Sequence, residues 1–351
     1  IGFSSIVVKV VEWGVDMKTA FVNASAVADW QGVLATRGVE LGSFRSLMLK
    51  PSGSNEEAGS LVVDLKAFVD FVEQVGKMTN STGLSWSVGL ASNYSKRGYA
   101  GRAVLGAKNL GTAFSRLAQY YPLIQDDTQI TFDVGTDWST LSYRILDPDI
   151  WPRTEDALYS LGIFASFIKS AAPDAWHAVE MFVECDADTI KRDVSDIVKT
   201  NVEYKAESNG FRFPTSLLNR QLDLMPPVDS DHIKRLSRLM TEHNRRMPAS
   251  ERTRQKVFEG LSRGKVNQDH IATELGMSRR TLRRKLADEG ESFQSILDEC
   301  RMRAAALEFK ICRNQSLSEM ALKLGYSEHS TFSRAFMRWA GIAPQEFRRL
   351  Y

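Results

Sequence analysis

The sequence predicts a multidomain chain: an α+β amino-terminal domain followed by an all-α domain of two helix-turn-helix motifs joined by a helix. Three observations carry that reading. A chain of 351 residues is long enough for two separate cores. Helical and alternating apolar patterns are mixed along its first part. Near its end, one glycine-centred helical pattern occurs twice.

Taken in order, apolar residues recur at helical spacing over residues 24–37, 61–77 and 103–120, so the upstream part is expected to begin helical. Alternation then predicts strands at 129–134 and 139–146. A helix follows Pro152, with Leu158, Leu161, Ala165 and Ile168 on one face. A strand at 176–183, a helix near 187–199, and short strands at 202–204 and 210–213 complete this part. That order favours a mixed or antiparallel sheet over repeated βαβ units. Met225-Pro226-Pro227-Val228 breaks the pattern. Next comes an amphipathic helix with Ile233, Leu236, Leu239 and Met240, ending before Pro248, suited to cover either a second subunit or its own upstream domain. The expected division is 1–224 for ligand sensing and dimerisation, 225–249 as linker, and 250–351 for the double motif.

The first copy reads Ile271-Ala272-x-x-Leu275-Gly276-Met277-Ser278, then Leu282, Arg284 and Leu286; the second reads Met320-Ala321-x-x-Leu324-Gly325-Tyr326-Ser327, then Phe332, Arg334 and Phe336. The glycines are 49 residues apart and the later apolar positions 50, so the second turn holds one extra residue. Ala272 and Ala321 are small where helices cross. Gly276 and Gly325 sit where a helix must stop and reverse, a place for positive φ. Ser278 and Ser327 are expected to cap the next helix. Helix, glycine turn and capped helix make up the DNA-reading unit. From the first cap, Arg279, Arg280, Arg283 and Arg284 follow, with Leu282 and Leu286 on the buried side. Arginine forks fit guanine edges and phosphates alike. The second reading helix offers His329, Ser330, Ser333 and Arg334, with Arg338 placed for phosphate. Between the copies, Phe293, Ile296, Leu297, Cys300, Ala304 and Leu307 predict a continuous helix, fixing the two modules for successive major grooves about 34 Å apart.

Charge agrees with this division. From residue 250 on there are 19 Lys+Arg against 13 Asp+Glu, leaving 26 against 30 upstream, so the basic balance belongs to the end that carries the motifs. Cys185, Cys300 and Cys312 have no paired spacing, which argues against a disulfide framework or zinc site and for a cytoplasmic setting. Residues 6–11 are apolar but interrupted by Lys9, with Glu12 and Asp16 close behind, so neither a signal peptide nor a membrane span is expected; Met17 is the first residue that reads as an ordinary start. Gly101 to Lys108 lacks the lysine of a phosphate loop, and Gly83-Leu84-Ser85-Trp86-Ser87 lacks the last glycine of a nucleophile elbow. The five histidines have no ligand spacing. No catalytic residues, metal or cofactor are expected.

The segment from about Glu251 to Tyr351 resembles the DNA-binding domain of AraC/XylS-type transcription regulators. The matching residues are both glycine turns, Arg280 with Leu282, Gly290 before Ser292-Phe293, Phe332-Ser333-Arg334-Ala335-Phe336, Gly341, Pro344 and Phe347-Arg348. The resemblance implies base contacts from Arg280, Arg283 and Arg284 in copy one and from His329, Ser330 and Arg334 in copy two; Lys285 departs from the usual apolar residue. Upstream, Leu34-x-x-Arg37-Gly38 and Leu110-Gly111-x-Ala113-Phe114-x-Arg116-Leu117-x-x-Tyr120 resemble the subgroup with an arabinose-binding-like, non-cupin amino-terminal domain. Its implications are an effector-controlled regulator, an activator that engages RNA polymerase, and a homodimer on duplex operator DNA. The alternatives are an enzyme such as a DNA-repair protein fused to this domain, which three scattered cysteines do not favour, and an architectural DNA-binding protein, which would not need the upstream domain.

For the effector, alternation over 176–183 would place Trp176, Glu180 and Phe182 on one face, a carboxylate between two aromatics that suits a small cation. The competing reading is an ordinary solvent-side glutamate.

Overall fold

In the computed structural model, residues 20–36, 53–55, 60–79, 83–187, 194–262, 266–311 and 315–349 are described. Readings that fall on Met17 and the residues before it, Arg37-Gly38 and Cys312 lie outside them. By backbone contacts the chain divides into a unit spanning Thr19–His243 and one holding Asn244–Tyr351.

The first unit opens with a sheet where helices alone were expected. Strands β1 (Phe21–Asn23), β2 (Gly53–Asn55) and β3 (Ser60–Asp64) pair antiparallel in the order β1-β3-β2. Helix α1 (Ser25–Thr36) leaves β1, and α2 (Leu65–Thr79) leaves β3. The single helix expected over 61–77 is therefore a strand and a helix. Val62 and Val63 are β-branched and suit a strand, and the Asp64 carboxylate accepts from Ala67 N at 2.6 Å where the helix starts. The helix expected over 103–120 is likewise two, α4 (Gly98–Leu105) and α5 (Leu110–Tyr120), preceded by a short α3 (Leu84–Leu90). The break is set by Asn109, whose side chain accepts from Thr112 N at 2.9 Å.

The second sheet holds β4 (Thr128–Val134), β5 (Trp138–Ile145), β6 (Glu180–Phe182), β7 (Asn201–Glu203) and β8 (Asn209–Pro214) in the order β4-β5-β8-β6-β7. Only the β6–β7 pair is parallel, so the sheet is mixed. Along β5, Ser139, Leu141, Tyr143 and Ile145 are buried in alternation. Helix α6 (Thr154–Ala171) is buried through most of its length. Its Gly162 faces Gly89 of α3, and a Cβ on Gly89 would strike the Tyr159 carbonyl, so two glycines let these helices touch backbone to backbone. Glu155 and Asp156 in its first turn and Lys169 in its last oppose the helix dipole.

Two further expectations are corrected here. The strand expected over 176–183 is a 3-10 turn, Pro173–Ala178, followed by the three residues of β6. Of the helix expected near 187–199, only the single turn α7 (Ser195–Val198) is seen among the described residues. The amphipathic helix α8 (Ser230–Arg246) packs on the upstream core through Leu236 and Leu239, flanked by Ile233 and Met240.

The second unit is helical: α9 (Ala249–Ser262), α10 (Gln268–Glu274), α11 (Arg279–Asp288), α12 (Phe293–Ile311), α13 (Leu317–Lys323), α14 (His329–Ala340) and α15 (Pro344–Arg348). Around α13 and α14, Phe309, Met320, Phe332, Phe336 and Phe347 form one apolar cluster. Where α9 meets α12, Arg254 lies among Glu251, Glu291 and Glu299 at 3.3, 2.7 and 2.9 Å.

Candidate nucleic-acid interface

Helix α10 ends in a turn whose hydrogen bonds define a Schellman motif: Met277 N donates to Ala272 O at 2.9 Å and Gly276 N to Thr273 O at 2.9 Å. Gly276 has φ +67, the left-handed region that a side chain disfavours. Copy two repeats the motif, with Tyr326 N to Ala321 O at 2.8 Å, Gly325 N to Leu322 O at 3.0 Å, and Gly325 at φ +78. Ala272 and Ala321 are both buried, as the crossing requires.

After the first turn, Ser278 takes extended backbone and its hydroxyl accepts from Thr281 N at 3.1 Å, capping α11. The second turn differs from the sequence expectation. Its N-cap is Glu328 rather than Ser327, and no side chain makes the capping bond. The inserted residue explains the shift, since the caps 278 and 328 stand 50 apart while the glycines stand 49 apart.

Leu282 and Leu286 are fully buried beneath α11, and Arg279, Arg280, Arg283 and Arg284 are exposed on its outer side. Arg279 pairs with Asp269 at 3.4 Å. Arg280, Arg283 and Arg284 have no protein partner among the described residues, so three guanidinium forks are free for a ligand. Lys285, the departure noted above, is exposed as well. On α14, Phe332 and Phe336 are buried, His329, Ser330 and Arg334 exposed, and Ser333 half-buried. Ser330 Oγ donates to Glu328 at 3.2 Å and Arg334 to Thr331 Oγ1 at 3.5 Å. Arg338 pairs with Asp298 at 3.3 Å. The second face thus carries less unassigned positive charge than the first.

The connecting helix α12 is continuous over 19 residues, about 28 Å of rise. It supplies a positioning residue that the sequence reading missed. Arg301 donates from Nε to Leu324 O at 2.8 Å and from Nη2 to Gly325 O at 3.2 Å, with its guanidinium 4.4 Å from the Tyr326 ring centroid. Copy one has the counterpart: Arg252 of α9 donates to Leu275 O at 3.4 Å. Donors and acceptors both lie 49 residues apart, so the repeat includes the helix before each motif. That offset was a legible signal.

The three residues expected to meet a cationic effector are not brought together. Met181 pairs with Phe211 and faces the core, and the Trp176 ring lies 5.8 Å from that of Phe211. Trp176 is therefore on the side of the sheet away from Glu180 and Phe182. It donates to Val198 O at 2.8 Å, and its ring already receives the Lys169 ammonium at 4.3 Å. Glu180 is a half-exposed carboxylate 3.8 Å from Arg212, and Phe182 lies over Gly210. The solvent-side reading describes Glu180 best.

Among the described residues no helix is long and apolar enough to cross a membrane, and no three His, Cys, Asp or Glu side chains are grouped to hold a metal.

Two glycine-turn motifs, each presenting a helix with a polar outer face and a buried apolar stripe, define a tandem helix-turn-helix DNA-binding protein. Residues 271–350 match the family model described as a helix-turn-helix domain, and residues 49–222 the one described as the arabinose-binding domain of AraC transcription regulator. An uncharacterized HTH-type transcriptional regulator of Mycobacterium tuberculosis is 28% identical over 288 residues, covering 78% of this chain and 81% of that protein. The HTH-type transcriptional regulator VirS of the same species is 32% identical over 144 residues, 40% of each chain. The crystal structure of the transcriptional regulator CdpR from Pseudomonas aeruginosa aligns with TM-score 0.40 and 21% identity, covering 93% of this chain and 98% of that one. The chain belongs to the AraC-type helix-turn-helix transcription regulators, with an arabinose-binding-like amino-terminal domain.

Proposed function

We propose that this regulator reads duplex operator DNA with α11 and α14 and is controlled by a small molecule bound in the Thr19–His243 unit. The observation that carries the DNA reading is the row of three exposed, unpartnered arginines on α11, beside a capped helix start. Arg280, Arg283 and Arg284 contact base edges and phosphates; Arg279, His329, Ser330, Ser333, Arg334 and Arg338 complete the two faces. The continuous α12 supports simultaneous entry into successive major grooves. The protein acts as a homodimer, since one subunit brings only one arginine block and a second doubles it. It activates transcription by engaging RNA polymerase, as the family resemblance suggests, and works in the cytoplasm, where its buried thiols Cys185 and Cys300 stay reduced.

Selection of a binding sequence from a random duplex pool, followed by titration at increasing salt, tests the reading. A selected site bound at least about a thousandfold more tightly than random duplex is expected, with affinity falling steeply as counterions are retained. Equal binding to all duplexes would refute sequence-specific control. Sedimentation as a monomer at micromolar concentration, alone and on the selected site, would refute the dimer.

A further inference from the structure

Helix α8 is pinned to α4 around one tyrosine ring. His232 Nε2 donates to Tyr99 O at 2.9 Å, and its ring lies 5.1 Å from the Tyr99 ring. Two guanidiniums meet the same ring, Arg102 of α4 at 4.9 Å and Arg235 of α8 at 4.6 Å from its centroid. Arg238 follows Arg235 on α8, about 4.5 Å along the helix and about 60° round it. Arg235 and Arg238 are exposed and Arg102 is half-buried, while Leu236 and Leu239 face the core.

What this patch lacks is a carboxylate. Elsewhere in the Thr19–His243 unit arginines are matched: Arg97 with Asp29, Arg144 and Arg153 with Glu184, Arg212 with Glu180, and Arg220 with Asp174. Among the described residues, Arg102, Arg235 and Arg238 have no such partner. Asp231 is held by Lys234 at 3.0 Å, and Asp229 accepts from His232 N at 2.7 Å. Residues 230–246 carry five Lys+Arg against two Asp+Glu, in an upstream region whose overall balance is acidic. Like charges drawn to one ring repel each other, and stacking on the ring offsets that only in part. A stacked guanidinium still turns its N–H edge outward, ready for an oxyanion. Arg238 stands off the ring, so the three form a row on an open surface, and a row of cations fits a row of anions better than it fits one small ion. Such a polyanion is already the partner of this chain. Helix α8 ends at Arg246 and α9 of the helical unit begins at Ala249, so DNA held by that unit is presented to α8 at high local concentration.

We propose that Arg102, Arg235 and Arg238 form a third DNA-contacting surface, which grips backbone phosphates outside the base pairs read by α11 and α14. It adds affinity without sequence preference, because phosphates are alike at every base pair. The proposal rests on the DNA reading above and is independent of ligand control.

Binding of the full chain to the selected duplex and to random duplex, both carrying long random flanks, tests it across a range of salt. Arg235→Gln/Arg238→Gln is expected to lower affinity roughly ten- to thirtyfold at about 0.15 M salt, and to flatten the slope of log affinity against log salt by about 2. The loss should be equal on both duplexes, leaving their ratio as in wild type. Arg238→Gln alone, which leaves the Tyr99 stack in place, should flatten the slope by about 1. Arg235→Lys/Arg238→Lys keeps both charges and should recover most of the slope. A double glutamine variant with the wild-type slope, or a loss confined to the selected duplex, would overturn the third surface and leave base reading by α11 and α14 intact. Absence of any selected site would overturn that reading instead, and the slope on random duplex would still decide the third surface. Inorganic phosphate at constant ionic strength gives the last arm. If it raises Tm in wild type but not in Arg102→Gln/Arg235→Gln, while the DNA slope is unaltered, the patch holds a small anion and the DNA contact is overturned.

Discussion

Arginines of the same exposed class differ in what they already hold. Arg279 and Arg338 are engaged by Asp269 and Asp298, whereas Arg280, Arg283 and Arg284 have no protein acceptor among the described residues. A guanidinium without an intramolecular pair loses nothing but water when it meets a base, so the free three should dominate binding. Arg280→Ala or Arg284→Ala is expected to cost about 1–3 kcal/mol and to relax preference at one base pair. Arg279→Ala should cost less, because the wild-type residue must first leave Asp269. Competition against single-base variants of the selected site measures both quantities. A loss spread evenly over every sequence would assign these arginines to phosphate instead. Since their side chains point into solvent from the outer face of α11, none of these changes should move Tm appreciably.

The elements show why one motif was read correctly and its twin only in part. Glycine turns were legible because positive φ restricts the residue itself, and both glycines adopt it. The cap of α11 was legible because Ser278 directly follows a regular turn. In copy two the inserted residue moves the helix start by one position, which no local preference reveals, and Glu328 takes the cap with no side-chain bond. The pair makes a matched prediction. Ser278→Ala should destabilise the helical unit by about 1 kcal/mol, and Ser327→Ala should stay within about 0.5 kcal/mol of wild type. Chemical denaturation reads both, and equal losses would contradict the assigned caps. Upstream, the misread stretches were junctions. Leu61-Val62-Val63 continues the apolar rhythm of α2, so the strand hides in the helix period until pairing with β1 claims it. The expected effector face failed for a related reason. Alternation counts as a face only while the strand lasts, and Trp176 lies in a 3-10 turn outside β6. The buried network of Asp29, Arg97 and Tyr159 had no local signal at all, because its members come from separate elements that only folding brings together.

On the scale of the whole molecule, both units bury charged groups: Glu73 and Asp156 lie in the amino-terminal core, and Arg254 and Glu308 in the helical unit. Burial pushes the Glu73 carboxyl up to about 7 and that of Asp156 up to about 6, although Glu73 accepts from Glu155 N at 2.6 Å and Asp156 from Tyr143 at 2.7 Å. A carboxyl raised in the fold keeps its proton after the unfolded chain has released it. Between the ordinary value of 4.5 for Glu73 and its folded value of about 7, the native state therefore binds more protons, and stability falls as pH rises across that window. Below it both states are protonated and the stability is fully present; above it the loss is complete. The amino-terminal unit should accordingly melt several degrees lower at pH 8 than at pH 5, followed through the fluorescence of buried Trp30, Trp86 and Trp176. Glu73→Gln keeps the acceptor and removes the titration, so its melting temperature should vary less with pH over the same range. A wild-type profile that is flat, or that rises toward pH 8, would show that Glu73 is ionised in the fold without cost. The helical unit supplies the control within the same molecule. Its Glu289 carboxyl is pushed up by partial burial, but the hydrogen bonds it accepts from Ser250 N and Ala249 N at 2.8 Å outweigh that and hold it below its ordinary value of 4.5, so acid should weaken that unit while it strengthens the other.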